Sequence, residues 1–192
     1  MKEANEITVE VNTTVENLNE ILESNNFKLI EEVDYNDIYM IKNDCSATDC
    51  LEILKGCVII RNIINENIDV KQIVYKQKEY NDKKEIVSQS QVKCQVYSVK
   101  EAIEFFEGIN YHSLIKINDH IKVYANDEVE FAVQFVNNKH IYIELEQDKD
   151  GKRIYKDLES MKNIFKKYNI PIKNNDYFVK KAEVELLETM HN

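Results

Sequence analysis

The chain has 192 residues, a hydrophobic share of 43% and a formal net charge of −10 at pH 7. This length and composition predict one folded domain over residues 1–192 and exclude a wholly disordered chain. The acidic balance argues against nucleic-acid binding, because a protein that neutralises phosphates needs a basic surface. No run approaches the roughly 20 apolar residues of a membrane-spanning helix, and the stretch MKEANEITVEV lacks the apolar core of a signal peptide. We therefore expect a cytoplasmic protein that does not bind membranes.

The cysteines and histidines show no spacing that is typical of a metal site. The four cysteines contain no C-x-x-C pair and no nearby cysteine–histidine ligand pattern. They therefore predict reduced thiols rather than a zinc site. His112, His140 and His191 likewise lack metal-ligand spacing, and we expect them at the surface.

The amino-terminal part of the chain predicts strands and helices in alternation. Residues 7–11 alternate between apolar and polar side chains, which is typical of a strand. A helix should follow, with Thr13 or Thr14 near its first turn and apolar residues at helical spacing. Residues 27–40 are expected to be extended, and residues 50–55 should form a short helix that ends at Gly56.

Apolar runs rich in β-branched residues predict further strands. The stretches CVIIRNII, QIVYKQKEY and EIVSQSQVKCQVY are separated by Asn- and Asp-bearing segments, as successive strands are. Ser98 should cap the next helix, with Glu101 completing a capping box. The stretches SLIKINDHIKVY, VEFAVQFV and HIYIELE then predict three strands, and a helix should span residues 158–168.

Apolar and polar side chains alternate most regularly in the predicted strand SLIKINDHIKVY. One of its faces is apolar, and the other carries Lys116, Asn118, His120, Lys122 and Tyr124. The polar face of an amphipathic strand normally meets solvent. Here three amphipathic helices need apolar sheet faces to cover, so a sheet that curls would enclose the polar faces instead. This reasoning predicts an α+β fold, an antiparallel β-barrel or tunnel of about eight strands with helices packed outside.

The order of these elements and several short motifs resemble the CYTH family, which includes triphosphate tunnel metalloenzymes, thiamine triphosphatases and class IV adenylate cyclases. The family's opening E-x-E-x-K motif is similar to residues 8–12, where Glu10 is the retained acid, and its closing E-x-E is intact as Glu144 and Glu146. The family's D-x-Y-F motif is similar to residues 37–40, and its D-x-V motif falls on residues 134–136, where the acid is lost. The resemblance extends over about residues 7–187 and therefore covers nearly the whole chain.

Three further motifs of the family retain one base each in this chain. The L-R-I-R motif is similar to residues 58–61, which end at Arg61. The L-T-Y-K-G strand is similar to residues 73–77 and keeps Lys76, and the K-x-R strand is similar to residues 116–118 and keeps Lys116. Two bases of these motifs are absent, and the resemblance therefore describes a divergent member.

The resemblance implies a tunnel whose bases hold a triphosphate and whose carboxylates hold Mg²⁺ or Mn²⁺. It assigns the metal site to Glu10, Glu144 and Glu146, the last two also being the candidate catalytic residues. The implied phosphate-binding residues are Arg61, Lys76 and Lys116. Lys122 and His120 share the predicted inward face and could replace a lost base, and Glu85 is similar to an acidic position after the third strand.

Two functions remain open, and the expected partner is a small polyanion such as a triphosphate. One is a metal-dependent phosphohydrolase acting on inorganic tripolyphosphate or an organic triphosphate. The alternative is a catalytically degenerate tunnel-fold binding or scaffold protein. Enzymatic activity is left open, because each lost charge-assisted phosphate contact is worth about 1.5–3 kcal/mol. Adenylate cyclase activity is less favoured, since no purine pocket is evident, and a homodimer is left open.

The residues themselves also fit simpler roles. Glu144 and Glu146 fit an ordinary solvated strand face, and Lys76 fits an exposed lysine in a lysine-rich stretch. Arg61 ends an apolar run in a chain with few arginines, and it fits a partly buried structural ion pair as well as a phosphate ligand.

Overall fold

The computed structural model describes residues 6–81, 86–146, 155 and 157–191. Over these residues the chain is an α+β fold built on one antiparallel sheet of eight strands. The strands are β1 (Glu6–Glu10), β2 (Lys28–Lys42), β3 (Val58–Ile64), β4 (Asp69–Tyr80), β5 (Ile86–Val96), β6 (Tyr111–Ala125), β7 (Glu130–Val136) and β8 (His140–Glu146). The helices are α1 (Val15–Ser24), α2 (Cys50–Lys55), α3 (Val99–Gly108), α4 (Leu158–Lys167) and α5 (Lys181–His191), with a 3-10 turn at Lys173–Asn175.

Local sequence explains where these elements start and turn. Thr14 caps α1 by accepting a hydrogen bond from the backbone of Asn17, and Ser98 caps α3 through the backbone of Glu101, as predicted. All the described non-glycine residues with positive φ are asparagines, which tolerate the left-handed region better than most residues. Two of them, Asn137 and Asn138, make the turn between β7 and β8. This turn brings the closing E-x-E strand back beside β7.

The strands follow the order β1-β8-β7-β6-β2-β3-β4-β5, so β1 and β5 are the edges and hydrogen bonds do not close the sheet. The sheet is nevertheless strongly curled, as a tunnel requires. Tyr35 on β2 illustrates this, because the charge of Glu144, three strands away on β8, contributes to raising its pKa after burial itself. In a flat sheet these strands would be about 14 Å apart. The free edge of β1 is covered by the carboxy-terminal segment, which pairs through Ile172 and Phe178.

The outer face of the sheet is apolar and carries α1, α3 and α4. Buried residues of β1, β7 and β8 pack with α1 and α4 in one cluster, and Met40 and Ile60 pack with α3 in another. The inner face is different from the prediction, because α2 and α5 pack against it. Leu186 of α5 and Cys50 of α2 join Ile115, Ile117 and Tyr142 in a third apolar cluster. Part of the tunnel interior is therefore filled by the chain's own helices.

The two faces of β6 are opposite to the prediction. Ile115 and Ile117 lie on the inner face, so Lys116 between them lies on the outer face, beside Ile38 of β2. Lys122 is also on the outer face, where its register partners are Glu32 and Val133. The physical reason is that the apolar face of β6 covers α5 rather than an outer helix. No helix of the described residues is long and apolar enough to cross a membrane.

Candidate functional site

Three carboxylates from adjacent strands meet on the inner face of the sheet. Glu6 of β1 lies directly opposite Glu146 of β8, and Glu144 is the next inward-facing residue along β8. One oxygen of each side chain lies within 4.8 Å of the others. Glu6 and Glu144 are half-buried, and Glu146 is exposed. We call these three residues the carboxylate cluster. It contains the predicted Glu144 and Glu146, and adds Glu6, which the sequence reasoning missed.

Glu10, the third predicted metal ligand, makes different contacts in this structure. Its carboxylate accepts from Lys173 at 2.7 Å and contacts Nδ1 of His140 at 3.0 Å. Glu10 faces the same side of β1 as Glu6, but it is four residues farther along the strand and pairs with Tyr142. Glu10 and His140 are thus part of a separate group near α5. His140, expected at the surface, has a side chain that is only 13% exposed.

A buried amide holds one member of the carboxylate cluster. Nε2 of Gln134 on β7 donates to Oε2 of Glu144 at 3.2 Å, and Gln134 is only 4% exposed. Its Oε1 atom is buried without a hydrogen-bond partner among the described residues. The amide therefore fixes the orientation of the Glu144 carboxylate without adding a charge to the cluster. Gln134 is the position at which the sequence comparison found the loss of a family acid.

Arg61 lies on the inner face and is bound by an aspartate. Its Nε and Nη2 atoms donate to the two oxygens of Asp37 at 2.7 and 2.5 Å, which is a bidentate pair. The ring of Tyr35 stacks 4.5 Å from the guanidinium carbon. Burial disfavours the charge of Arg61, but the hydrogen bonds and the charge of Asp37 outweigh it and raise the pKa of Arg61. Arg61 is thus a permanent cation whose fork is already occupied.

The remaining predicted bases divide between the two faces of the sheet. Lys76 of β4 lies on the inner face, because it has the same parity along the strand as Gln72, which pairs with Arg61. Its side chain is half-buried. Lys116 and Lys122 lie on the outer face, as described above, and the structure does not bring them to the carboxylate cluster. His120 is also on the outer face, where its two ring nitrogens contact Glu32 and Asp34. Glu85 lies outside the described residues.

A second aspartate on the inner face holds a cation from α5. Oδ2 of Asp119 accepts from Nζ of Lys181 at 2.7 Å, whereas its Oδ1 atom is buried without a hydrogen-bond partner among the described residues. Asp119 is 6% exposed. Burial raises the pKa of Asp119, against the opposing charge of Lys181. This pair ties the first residue of α5 to the middle of β6.

The difference in the free energy of unfolding between Asp119→Asn and wild type is expected to be more favourable to the variant at about pH 7 than at about pH 4. Because the folded pKa of Asp119 is raised, stability from the protonated acid is present below the unfolded pKa and is lost as the pH rises through the folded pKa. The asparagine variant does not titrate there. Urea denaturation of both proteins at the two pH values measures the effect. An equal difference in unfolding free energy at both pH values would contradict it.

Solved structures with the same fold cover nearly the whole chain at low sequence identity. The PH1819 protein of Pyrococcus horikoshii OT3 has a TM-score of 0.69 at 16% identity, covering 96% of this chain and 99% of that chain. HpAC1 of Hippeastrum, an adenylyl cyclase candidate described with a dominant triphosphatase activity, has a TM-score of 0.60 at 10% identity, covering 98% and 96%. A chain of the Schizosaccharomyces pombe Mediator head module has a TM-score of 0.53 at 9% identity, covering 99% and 94%.

No protein-family model matches the chain, and a search of curated proteins finds no match. The similarity therefore concerns the fold, which agrees with the curled sheet, the element order and the closing E-x-E strand described above. The resemblance to the CYTH family is confirmed at that level. The chain has the tunnel fold of the CYTH proteins in a divergent form, with the inner face partly filled by its own helices.

Proposed function

We propose that this protein binds a divalent cation, Mg²⁺ or Mn²⁺, at the carboxylate cluster and, next to it, a small polyanion such as tripolyphosphate or the triphosphate of an organic ligand. The observation that carries the proposal is the meeting of Glu6, Glu144 and Glu146 within 4.8 Å on the inner face. Like charges this close repel one another, and a divalent cation relieves that repulsion.

The donor set fits the cation. Carboxylate oxygens are the hard ligands that Mg²⁺ and Mn²⁺ prefer, and Mg²⁺ commonly uses a few carboxylates together with substrate phosphates. Gln134 supports the arrangement, because its amide donates to Oε2 of Glu144 and so fixes the orientation of that carboxylate group. A bound divalent cation would supply charge neutralisation for phosphate oxygens.

The inner-face bases fit the polyanion. Arg61 is a permanent cation on this face, and Tyr35 restricts its orientation by stacking on the guanidinium that Asp37 holds. Lys76 adds a second cation on the same face. Tyr35 lies within electrostatic reach of both Arg61 and Glu144, which supports the view that basic and acidic residues share one interior. The fold similarity to HpAC1, described with a triphosphatase activity, is consistent with this ligand class.

A binding or scaffold protein without catalysis is the second candidate, and a specific observation favours it. Two cations at the inner face already have carboxylate partners, since Arg61 is held by Asp37 and Lys181 of α5 by Asp119. A polyanion would have to replace these carboxylates, and α5 would have to leave part of the inner face. A chain described as part of the Mediator head module of Schizosaccharomyces pombe has a similar fold.

Calorimetric titration with tripolyphosphate tests the proposed ligand, and a phosphate-release assay separates the two candidate functions. We expect binding in the presence of Mn²⁺ and at least about tenfold weaker binding in its absence, because the cation offsets the carboxylate charges that repel the ligand. Phosphate release from tripolyphosphate, ATP and thiamine triphosphate under the same conditions then distinguishes an enzyme from a binding protein. Absence of tripolyphosphate binding with either cation would contradict the proposed ligand.

A further inference from the structure

The strand β5 is exposed on both of its faces and along one edge. Residues 91–95 are all exposed, and among the described strands β5 pairs only with β4. The other edge of the sheet is different, because Ile172 and Phe178 form backbone bridges beside β1. An uncovered edge presents a row of backbone N–H and C=O groups that can pair with a further strand.

The sequence of β5 lacks the features that commonly keep sheet edges from pairing. The strand IVSQSQVKCQV contains no proline, no glycine and no acidic residue, and its one charged residue is Lys93. Its register with β4 shifts at Glu79 and Tyr80, near the hairpin, and is regular from Ser88 to Val96. Charged side chains, proline and bulges are the usual means of blocking an edge. The regular part of β5 is therefore well suited to accept another strand.

We propose that β5 pairs antiparallel with β5 of a second copy of this chain, around a twofold axis at Val92. Such an axis makes each contact occur twice, because the same surface is used on both copies. In this register the facing residues are Val92 with Val92, Gln91 with Lys93, and Ser90 with Cys94. The two sheets would then continue into one another through backbone hydrogen bonds.

The side chains of β5 match one another in this register. Val92 is 67% exposed on the outer face, beside Tyr75 of β4, and the same residue of the second copy would cover it. Lys93 would face the neutral Gln91, so no two like charges lie opposite each other. The whole chain carries a net charge of −10, but β5 has no acid, so the two copies would meet without acidic side chains at the contact.

Sedimentation equilibrium of the full chain tests the pairing. We expect a dimer whose dissociation constant falls as NaCl rises from about 0.1 M to about 1 M, because salt screens the repulsion between two acidic chains. Val92→Lys should weaken dimerisation by about three- to tenfold, since it places two lysines opposite each other. Ile30→Lys adds the same charge at an exposed position of β2, and it should dimerise no more weakly than the wild type.

A disulfide between copies tests the register independently of affinity. In a Cys45→Ser/Cys94→Ser background, which removes the exposed thiols, Val92→Cys should form a linked dimer with oxidised glutathione. Facing residues of an antiparallel pair have Cα atoms about 4.5–5.5 Å apart, which is within disulfide range. Val15→Cys, exposed on α1, should not link in the same background.

Three results would each overturn the proposal. They are a monomer at every concentration, a dimer that Val92→Lys does not weaken, and equal linking of Val92→Cys and Val15→Cys. None of these measurements uses Mn²⁺ or tripolyphosphate, so failure of the pairing and failure of the proposed function are distinguishable.

Discussion

Replacing Glu144 and Glu146 together with glutamine is expected to lower Mn²⁺ affinity by at least about 100-fold. The substitution removes two of the three charges of the carboxylate cluster while keeping the size and shape of the side chains. Binding of tripolyphosphate in Mn²⁺ should weaken in parallel, and any phosphate release should fall to the background rate. Calorimetry with Mn²⁺, followed by a phosphate-release assay, measures both effects.

The matched control is Glu101→Gln/Glu104→Gln on α3, which changes the same number of charges at exposed positions outside the inner face. This variant should bind Mn²⁺ as the wild type does, because exposed charges at a distance are screened by salt. Equal Mn²⁺ affinity in the two double variants and the wild type would show that Mn²⁺ does not bind at the carboxylate cluster. It would leave the fold unaffected.

Replacing Asp37 with alanine is expected to lower the free energy of unfolding by about 3–5 kcal/mol, because it leaves a buried charge without its partner. The side chain of Arg61 is 12% exposed and both of its hydrogen bonds to Asp37 would be lost. Asp37→Ala/Arg61→Met should be less destabilised than Asp37→Ala alone, since no buried charge remains. Urea denaturation of the single and double variants measures the difference.

A surface pair provides the comparison for this prediction. Glu104→Ala breaks the exposed Lys100–Glu104 pair and should cost no more than about 0.5 kcal/mol. A similarly small cost for Asp37→Ala would show that Arg61 does not depend on Asp37. If Asp37→Ala folds, the freed fork of Arg61 should also bind tripolyphosphate more tightly than the wild type does. Unchanged affinity would indicate that Arg61 does not contribute to tripolyphosphate binding.

Local sequence patterns predicted much of the fold. The period-two alternation of β1, β6 and β8 and the caps at Thr14 and Ser98 are determined by neighbouring residues, and the structure agrees with them. The closing E-x-E strand also predicted two members of the carboxylate cluster, because Glu144 and Glu146 share a face by alternation alone. These features require no knowledge of the rest of the chain.

The features that were missed depend on contacts between distant segments. Alternation divides the side chains of β6 between two faces but does not show which face lies inside the curled sheet. The apolar face lies inside because Leu186 of α5, far along the chain, packs against it. Glu6 and Glu10 have the same parity, so only the register of β1 against β8 shows that Glu6 faces Glu146. His140 contacts Glu188 of α5, and no spacing pattern around His140 in the sequence predicts this contact.

Anomalous scattering from crystals of the protein soaked in Mn²⁺ locates the bound cation directly. We expect an anomalous peak on the inner face between Glu6, Glu144 and Glu146, with Gln134 still donating to Glu144. We expect no such peak in crystals of Glu144→Gln/Glu146→Gln. A peak elsewhere, or none at an Mn²⁺ concentration that saturates binding in solution, would contradict the assignment of a cation to the carboxylate cluster.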